Sequence, residues 1–173
     1  VKISLKKAWF REKVRTNIIH PNELKNWFDA VTSLPFHTAN ITHKNTSETV
    51  RDYLIVMLFT GLRPGEAINL KWGDIDFINN LLHIEDTKNH EEHTLPLTSY
   101  LMSILRRRKD ESTGSVVFPG YNPNKSLVNS NKQVKKVIKS SGVKFLLLDL
   151  RRTFATYADS LSIQHSTIKR LLN

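Results

Sequence analysis

Eight of the ten residues from Val50 to Phe59 are apolar: Val50, Tyr53, Leu54, Ile55, Val56, Met57, Leu58 and Phe59, interrupted only by Arg51 and Asp52. Wound at 3.6 residues per turn, such a run leaves no broad polar face, so it predicts a helix enclosed on most sides by the rest of the chain. The run is far shorter than the roughly 20 residues that span a bilayer, which makes a protein core its destination. Thr46 or Ser47 can cap its start. Gly61 ends it and Pro64 can begin another helix, so Leu62 and Arg63 fall in a tight corner between the two.

The rest of the chain supplies what could wrap that helix. Residues 1–20 show no sustained period and read as a linker or arm. From Pro21 and Asn22 onward, Leu24, Trp27, Phe28, Val31 and Leu34 recur at helical spacing and predict an amphipathic helix ending near Pro35, followed by a polar loop over Phe36–Asn45. After Trp72 the period shortens towards two. Asp74–Phe77, Leu81–Asp86 and His93–Leu97 read as short strands, with Asn79-Asn80 as a turn and Lys88–Glu92 as a polar loop. Thr98 caps a helix carrying Tyr100, Leu101, Ile104 and Leu105. Further helices are predicted over Leu127–Ser140, Asp149–Ser160 and Ile163–Leu172, and the apolar run Phe145–Leu148 reads as buried. The fold class is α+β, mostly α-helical, with a small three-stranded antiparallel sheet.

Charge narrows the partner. The 173 residues hold 26 Lys plus Arg against 16 Asp plus Glu, a formal charge of +10. The excess is uneven: residues 1–30 carry seven basic and three acidic residues, residues 31–100 five and nine, and residues 101–173 fourteen and four. A field of this sign attracts polyphosphate backbones. Solvated surface and a basic helix lying on anionic lipid also fit such a balance. The run Arg106-Arg107-Arg108-Lys109 equally suits the negative end of its own helix. There is no Cys, which excludes a disulfide scaffold, a thiol nucleophile and a Cys-based zinc site. No N-terminal stretch has the layout of a signal peptide. The expectation is a cytoplasmic domain with an anionic partner.

Two clusters concentrate chemistry. In Thr60-Gly61-Leu62-Arg63-Pro64-Gly65-Glu66, the Arg63 guanidinium stands on stiff backbone, and its planar fork matches two oxygens of one phosphate. Glu66, three residues on, can pair with it, and taken alone this is a structural ion pair as readily as a ligand site. In Asp149-Leu150-Arg151-Arg152-Thr153-Phe154-Ala155-Thr156, two arginines stand near another helix start. Between the clusters a sheet presents Lys88 in a hairpin loop and leads into His93-Thr94-Leu95-Pro96-Leu97.

Together these segments resemble the catalytic domain of the tyrosine recombinase (phage integrase) family, in the family's order and spacing, from about residue 20 to the end. The resemblance implies metal-free, cofactor-free strand exchange on double-stranded DNA at an attachment site. A tyrosine attacks the scissile phosphate, forms a 3′-phosphotyrosine and releases a 5′-hydroxyl. Arg63 and Arg151 map onto the family's two phosphate-clamping arginines and Lys88 onto the lysine that protonates the leaving oxygen. Fixed cations stabilise the charge gathered on the equatorial oxygens, and a lysine crowded by positive charge can act as an acid. Glu66 would support Arg63, and Arg152 would be structural or contact the backbone. The family works as a homo-oligomer on DNA, and the source would be a bacterial or phage-encoded, nucleoid-associated protein.

Two departures qualify the resemblance. Where the family places His, three residues before its second Arg, this chain has Leu148, which can neither exchange a proton nor donate to a phosphate. His93 is the candidate substitute. The chain also stops at Asn173, before the family's His or Trp box and nucleophilic Tyr, and Tyr53, Tyr100, Tyr121 and Tyr157 all precede that position. The expectation is residues 1–20 as arm and 21–173 as a catalytic domain cut before its nucleophile, binding DNA weakly without cleaving it. The alternative is a decayed or non-catalytic DNA-binding relative.

Overall fold

The computed structural model describes residues 17–37, 41–84 and 92–172. The helix demanded by the apolar run is α2, Ile41–Thr60, and the other elements are arranged around it. α1 is Pro21–Thr32, α3 Pro64–Ile68, α4 Ser99–Asp110, α5 Asn131–Ser141, α6 Leu147–Ser160 and α7 His165–Leu172. Strands β1 (Ile75–Asp76), β2 (Leu81–Ile84) and β3 (His93–Pro96) form one antiparallel sheet in the order β1-β2-β3. Its register pairs Ile75 with Leu82, Leu82 with Leu95 and Ile84 with His93.

Burial follows the expected patterns. Val50, Leu54, Val56 and Met57 of α2 are sealed, and α6 packs along the helix most extensively, with α1, α3 and α4 on its other sides. Val137 on α5 faces α1, and beyond α5 the Phe145 ring meets Trp27 edge-on at 5.7 Å. Along β3 the residues alternate, His93 and Leu95 inward and Thr94 and Pro96 outward, as a one-sided sheet requires. Thr98 caps α4 by accepting the Leu101 N–H at 3.3 Å.

Several boundaries differ from expectation, each for a local reason. α2 begins at Ile41, within the stretch read as loop, because a helix once nucleated propagates through polar residues that carry no apolar signal. α5 begins at Asn131 instead of Leu127: the Leu127 N–H bonds the Phe118 carbonyl at 2.9 Å, and the Asn129 side chain accepts the Asn131 N–H at 2.7 Å to start the helix. The expected end of β2, Glu85 and Asp86, lies outside the described residues. Ile19, read as part of an arm, is fully buried; its N–H donates to Thr153 Oγ1 at 2.9 Å on α6. The folded unit therefore reaches back at least to residue 18 or 19.

The run Phe145–Leu148 is not uniformly buried. Phe145 is, but Leu146 is 50% and Leu148 43% exposed, since the run enters α6 and successive residues turn by about 100°.

The basic run on α4 is absorbed by local contacts. Asp52 on α2, 1% exposed, accepts Arg51 Nε at 2.8 Å, Arg107 Nη2 at 2.6 Å and Arg108 Nη1 at 3.0 Å. Arg108 also donates to Thr49 Oγ1 and twice to the Val117 carbonyl, and it lies 5.3 Å from the Phe118 ring centroid. Arg106 donates to the Phe77 carbonyl, and Lys109 sits over Trp72. Burial lowers the Arg108 pKa and Asp52 opposes that shift. Removing Asp52 would leave Arg108 buried without its carboxylate, so Asp52→Ala should lose about 3–5 kcal/mol in urea unfolding. Arg107→Ala, at a half-exposed partner, should lose about 1 kcal/mol or less.

Candidate functional site

Thr60 closes α2 by donating to the Val56 carbonyl at 2.6 Å, and Gly61 then turns the chain at φ +68°. Glycine is required there twice over. The backbone is left-handed, and a Cβ would fall 2.6 Å from the Phe154 ring and 2.7 Å from Leu172. Arg63 follows as the N-cap of α3 with Pro64 at its first position. The Glu66 carboxylate fixes it at two points: Oε2 accepts the Arg63 N–H at 2.8 Å and Oε1 accepts Nη1 at 2.7 Å. Both the main-chain N–H and the guanidinium of Arg63 are thus held by one side chain three residues away.

α6 brings the second cluster to the same corner. Arg151 Nη1 donates to the Gly61 carbonyl at 2.9 Å, and Nη2 donates to the Leu172 carbonyl at the end of α7. Burial lowers the Arg151 pKa, the Arg63 charge lowers it further and Glu66 opposes both. Two arginines from distant parts of the sequence therefore act on one another across a Gly/Pro corner. Arg152 points elsewhere and pairs with Asp149 at 2.6 Å. Asp149 in turn accepts the Leu146 N–H at the start of α6 at 2.8 Å, so this pair braces the helix that carries Arg151.

His93 is buried, 8% exposed, with Nε2 3.0 Å from the Leu171 carbonyl. A carbonyl only accepts, so Nε2 carries the proton and donates. Lys88 lies outside the described residues. Leu148, one helical turn before Arg151, is on the surface.

Three of the four tyrosines pack or bond against neighbouring elements. Tyr53 is sealed in the core, donates to the Pro64 carbonyl at 3.1 Å, and burial pushes its phenol well above the usual range. It braces the corner from below. Tyr157 donates to the Ile19 carbonyl at 3.4 Å, Tyr100 stacks obliquely on Phe59, and Tyr121 is exposed. Among the described residues no cluster of three metal-binding side chains occurs, and no helix is long and apolar enough to cross a membrane.

Single residue types in the sequence do not show the backbone's share of the site: the carbonyls of Gly61 and Leu172 accept from Arg151, and that of Leu171 accepts from His93. The signal for the first is the Gly/Pro corner itself. The corner also gives a paired test. Gly61→Ala meets both strain and overlap and should lose about 1–3 kcal/mol in thermal unfolding. Gly65→Ala, in α3 with no heavy atom within 4 Å of the added Cβ, should be neutral or slightly stabilising.

The phage integrase family matches residues 20–173. Prophage integrase IntF of Escherichia coli K12 is 28% identical over 165 residues, 89% of this chain and 32% of the relative. Tyrosine recombinase XerA of Pyrococcus furiosus is 34% identical over 135 residues, 72% of this chain and 46% of the relative. The chain thus spans less than half the length of either relative. Among solved structures, XerH site-specific recombinase in a pre-cleavage complex with difH substrate superposes with a TM-score of 0.72 at 20% identity, covering 93% of this chain and 48% of that one. A lambda integrase(75-356) dimer bound to a COC′ core site gives a TM-score of 0.67 at 20% identity, covering 94% and 59%. These superpositions establish the fold.

Proposed function

Because the chain belongs to the phage integrase family, we propose that it is the phosphate-gripping part of a site-specific recombinase, acting on duplex DNA in the cytoplasm of a bacterial host. The observation that carries this reading is the convergence of Arg63 and Arg151 on the Gly61 corner. Two cations held at one corner suit a scissile phosphate whose negative charge grows during transfer. Arg63 and Arg151 grip its non-bridging oxygens, Glu66 holds Arg63 in orientation, and Lys88 protonates the leaving 5′-oxygen. The nucleophile is a tyrosine that forms a 3′-phosphotyrosine. None of Tyr53, Tyr100, Tyr121 and Tyr157 is offered for that role, least of all Tyr53, whose burial opposes the phenolate. That relatives carry the names prophage integrase and tyrosine recombinase supports the activity. A lambda integrase tetramer bound to a Holliday junction among the structural neighbours supports assembly on DNA.

A second face strengthens the interaction. Residues 112–148 contain six lysines and no acidic residue. Lys132, Lys135, Lys136 and Lys139 fall on one side of α5, opposite the buried Gln133 and Val137. Five residues, Gly142–Leu146, join α5 to α6, so the two helix ends lie within about 20 Å, less than one turn of duplex. One DNA segment can therefore meet both α5 and Arg151.

The second reading, a non-catalytic DNA-binding relative, is favoured by Leu148. It is exposed, one helical turn before Arg151, where the resemblance calls for His.

On a 20-base-pair duplex, affinity should fall steeply with salt. Replacing the four α5 lysines by Gln should flatten the slope of log K against log salt by as much as about 3.6, at roughly 0.9 per phosphate contact. Absence of salt-dependent affinity would end the DNA reading. The 173-residue chain should form no covalent adduct on a nicked attachment-site duplex, and an adduct would overturn the assignment of its tyrosines. Because position 148 is exposed, Leu148→His should fold normally. Increased strand cleavage by this variant in a nucleophile-bearing form of the protein supports the enzyme, and no gain supports the binding relative.

A further inference from the structure

Two neighbouring residues of α2 serve different parts of the structure. Asp52 pairs with two arginines of α4, and Tyr53 donates its phenolic O–H to the Pro64 carbonyl at 3.1 Å. Tyr53 is 2% exposed, so this donor sits in the core beneath the corner that carries Arg63. Its ring is held in turn: Phe118 meets it edge-on at 5.6 Å, and the Arg108 guanidinium lies 5.3 Å from the Phe118 centroid while it donates to Asp52. α3 has five residues, too few to keep a direction by itself, since the first turn of a helix is the costly one to form. Leu62, Ala67 and Leu70 are buried and seat the corner against the core. Apolar contact is non-directional, so it resists separation more than rotation. A hydrogen bond to the first carbonyl of α3 fixes direction as well.

We infer that Tyr53 is a positioning residue for Arg63: by holding the Pro64 carbonyl it sets the first turn of α3, and with it the places of Glu66 and of the Arg63 main chain. Pro64 follows Arg63 directly, and Glu66, two residues beyond Pro64, accepts both the Arg63 N–H and its Nη1. A rotation of α3 about its axis would therefore carry the carboxylate and the guanidinium together. Whatever else the Arg63 guanidinium touches, its Cα and its carboxylate partner both ride on this turn. A phenol suits the task because a rigid ring gives the donor a fixed reach. Burial also raises its pKa, which keeps the O–H in place through neutral and mildly alkaline pH. The effect on DNA rests on the phosphate-gripping role proposed above, whereas the effect on the corner does not.

The test compares Tyr53→Phe, which removes only the donor, with replacement of Tyr53 by para-aminophenylalanine, which keeps an N–H donor at the same ring position, both in the full chain. On a 20-base-pair duplex at low salt, followed by fluorescence anisotropy, Tyr53→Phe should weaken binding about 3–10-fold, the worth of one hydrogen bond, and the para-amino variant should stay within about twofold of the parent. In the Arg63→Gln background, Tyr53→Phe should add less than about twofold, because its effect passes through the missing guanidinium. With Lys132, Lys135, Lys136 and Lys139 replaced by Gln it should keep its full effect. Equal losses in the two backgrounds, or a para-amino variant as weak as Tyr53→Phe, would overturn the proposal. A second measurement does not depend on DNA. The Ala67 amide donates to the Arg63 carbonyl at 3.0 Å. Its hydrogen exchange should accelerate about fivefold or more relative to that of Val56 in Tyr53→Phe and not in the para-amino variant, with a shift of the Arg63 Nε–H resonance in the first variant only. If the parent chain shows no DNA affinity, the phosphate-gripping role fails by itself, and unchanged exchange and resonance in Tyr53→Phe would still refute the positioning role.

Discussion

A carboxylate at the centre of an apolar helix sets the terms for the rest of the structure. Packing the apolar run of α2 into the core takes Asp52 out of water, and a buried charge is tolerable only if it is paired and hydrogen-bonded. Asp52 meets Arg51, Arg107 and Arg108, and Arg108 passes the constraint on to Thr49 and the Val117 carbonyl. α4 and the Val116–Phe118 segment are therefore tied to the middle of α2 by charge. Its C-terminal end leads into Gly61, whose carbonyl is the fixed point on which Arg151 is set. One helix thus carries both the charge network and the corner.

The division of cations follows from this. Chain position alone makes Arg106–Lys109 look like the strongest basic feature, yet those four side chains are committed to Phe77, Asp52, Val117 and Trp72. The basic surface left without acidic neighbours is instead α5, whose lysines meet no acidic group among the described residues. A cluster of like charge next to a buried carboxylate is a folding element, and the same cluster on an amphipathic helix without acids is a surface.

What was legible in the sequence was what is local. The all-round apolar run, the Gly61–Pro64 corner, the Thr98 cap and the period-two strands each follow from neighbours within a few residues. The convergence of Arg63 and Arg151 was legible only through resemblance, because nothing local says that α6 returns to the end of α2. Ile19 was missed because its partner Thr153 is 134 residues away. Leu148 was misread because four consecutive apolar residues suggest burial, and nothing in the run distinguishes Phe145, which is buried, from Leu146 and Leu148, which are exposed. His93 had a usable signal in its period with Leu95 and Leu97, which puts it on the inward face. Its partner, a main-chain carbonyl at the end of α7, has no side-chain signature.

The bond from Arg151 to the Gly61 carbonyl joins residues 90 apart in the chain, and that separation is also an interval of time. At synthesis rates of about 5–20 residues per second, roughly 5–18 s pass between the appearance of Gly61 and that of Arg151. During that interval α2, the most apolar element of the protein, lacks α6, its most extensive neighbour. The helix that organises the fold is thus left without its main cover for that whole interval, and the nascent chain must stay out of contact with others until its last third arrives.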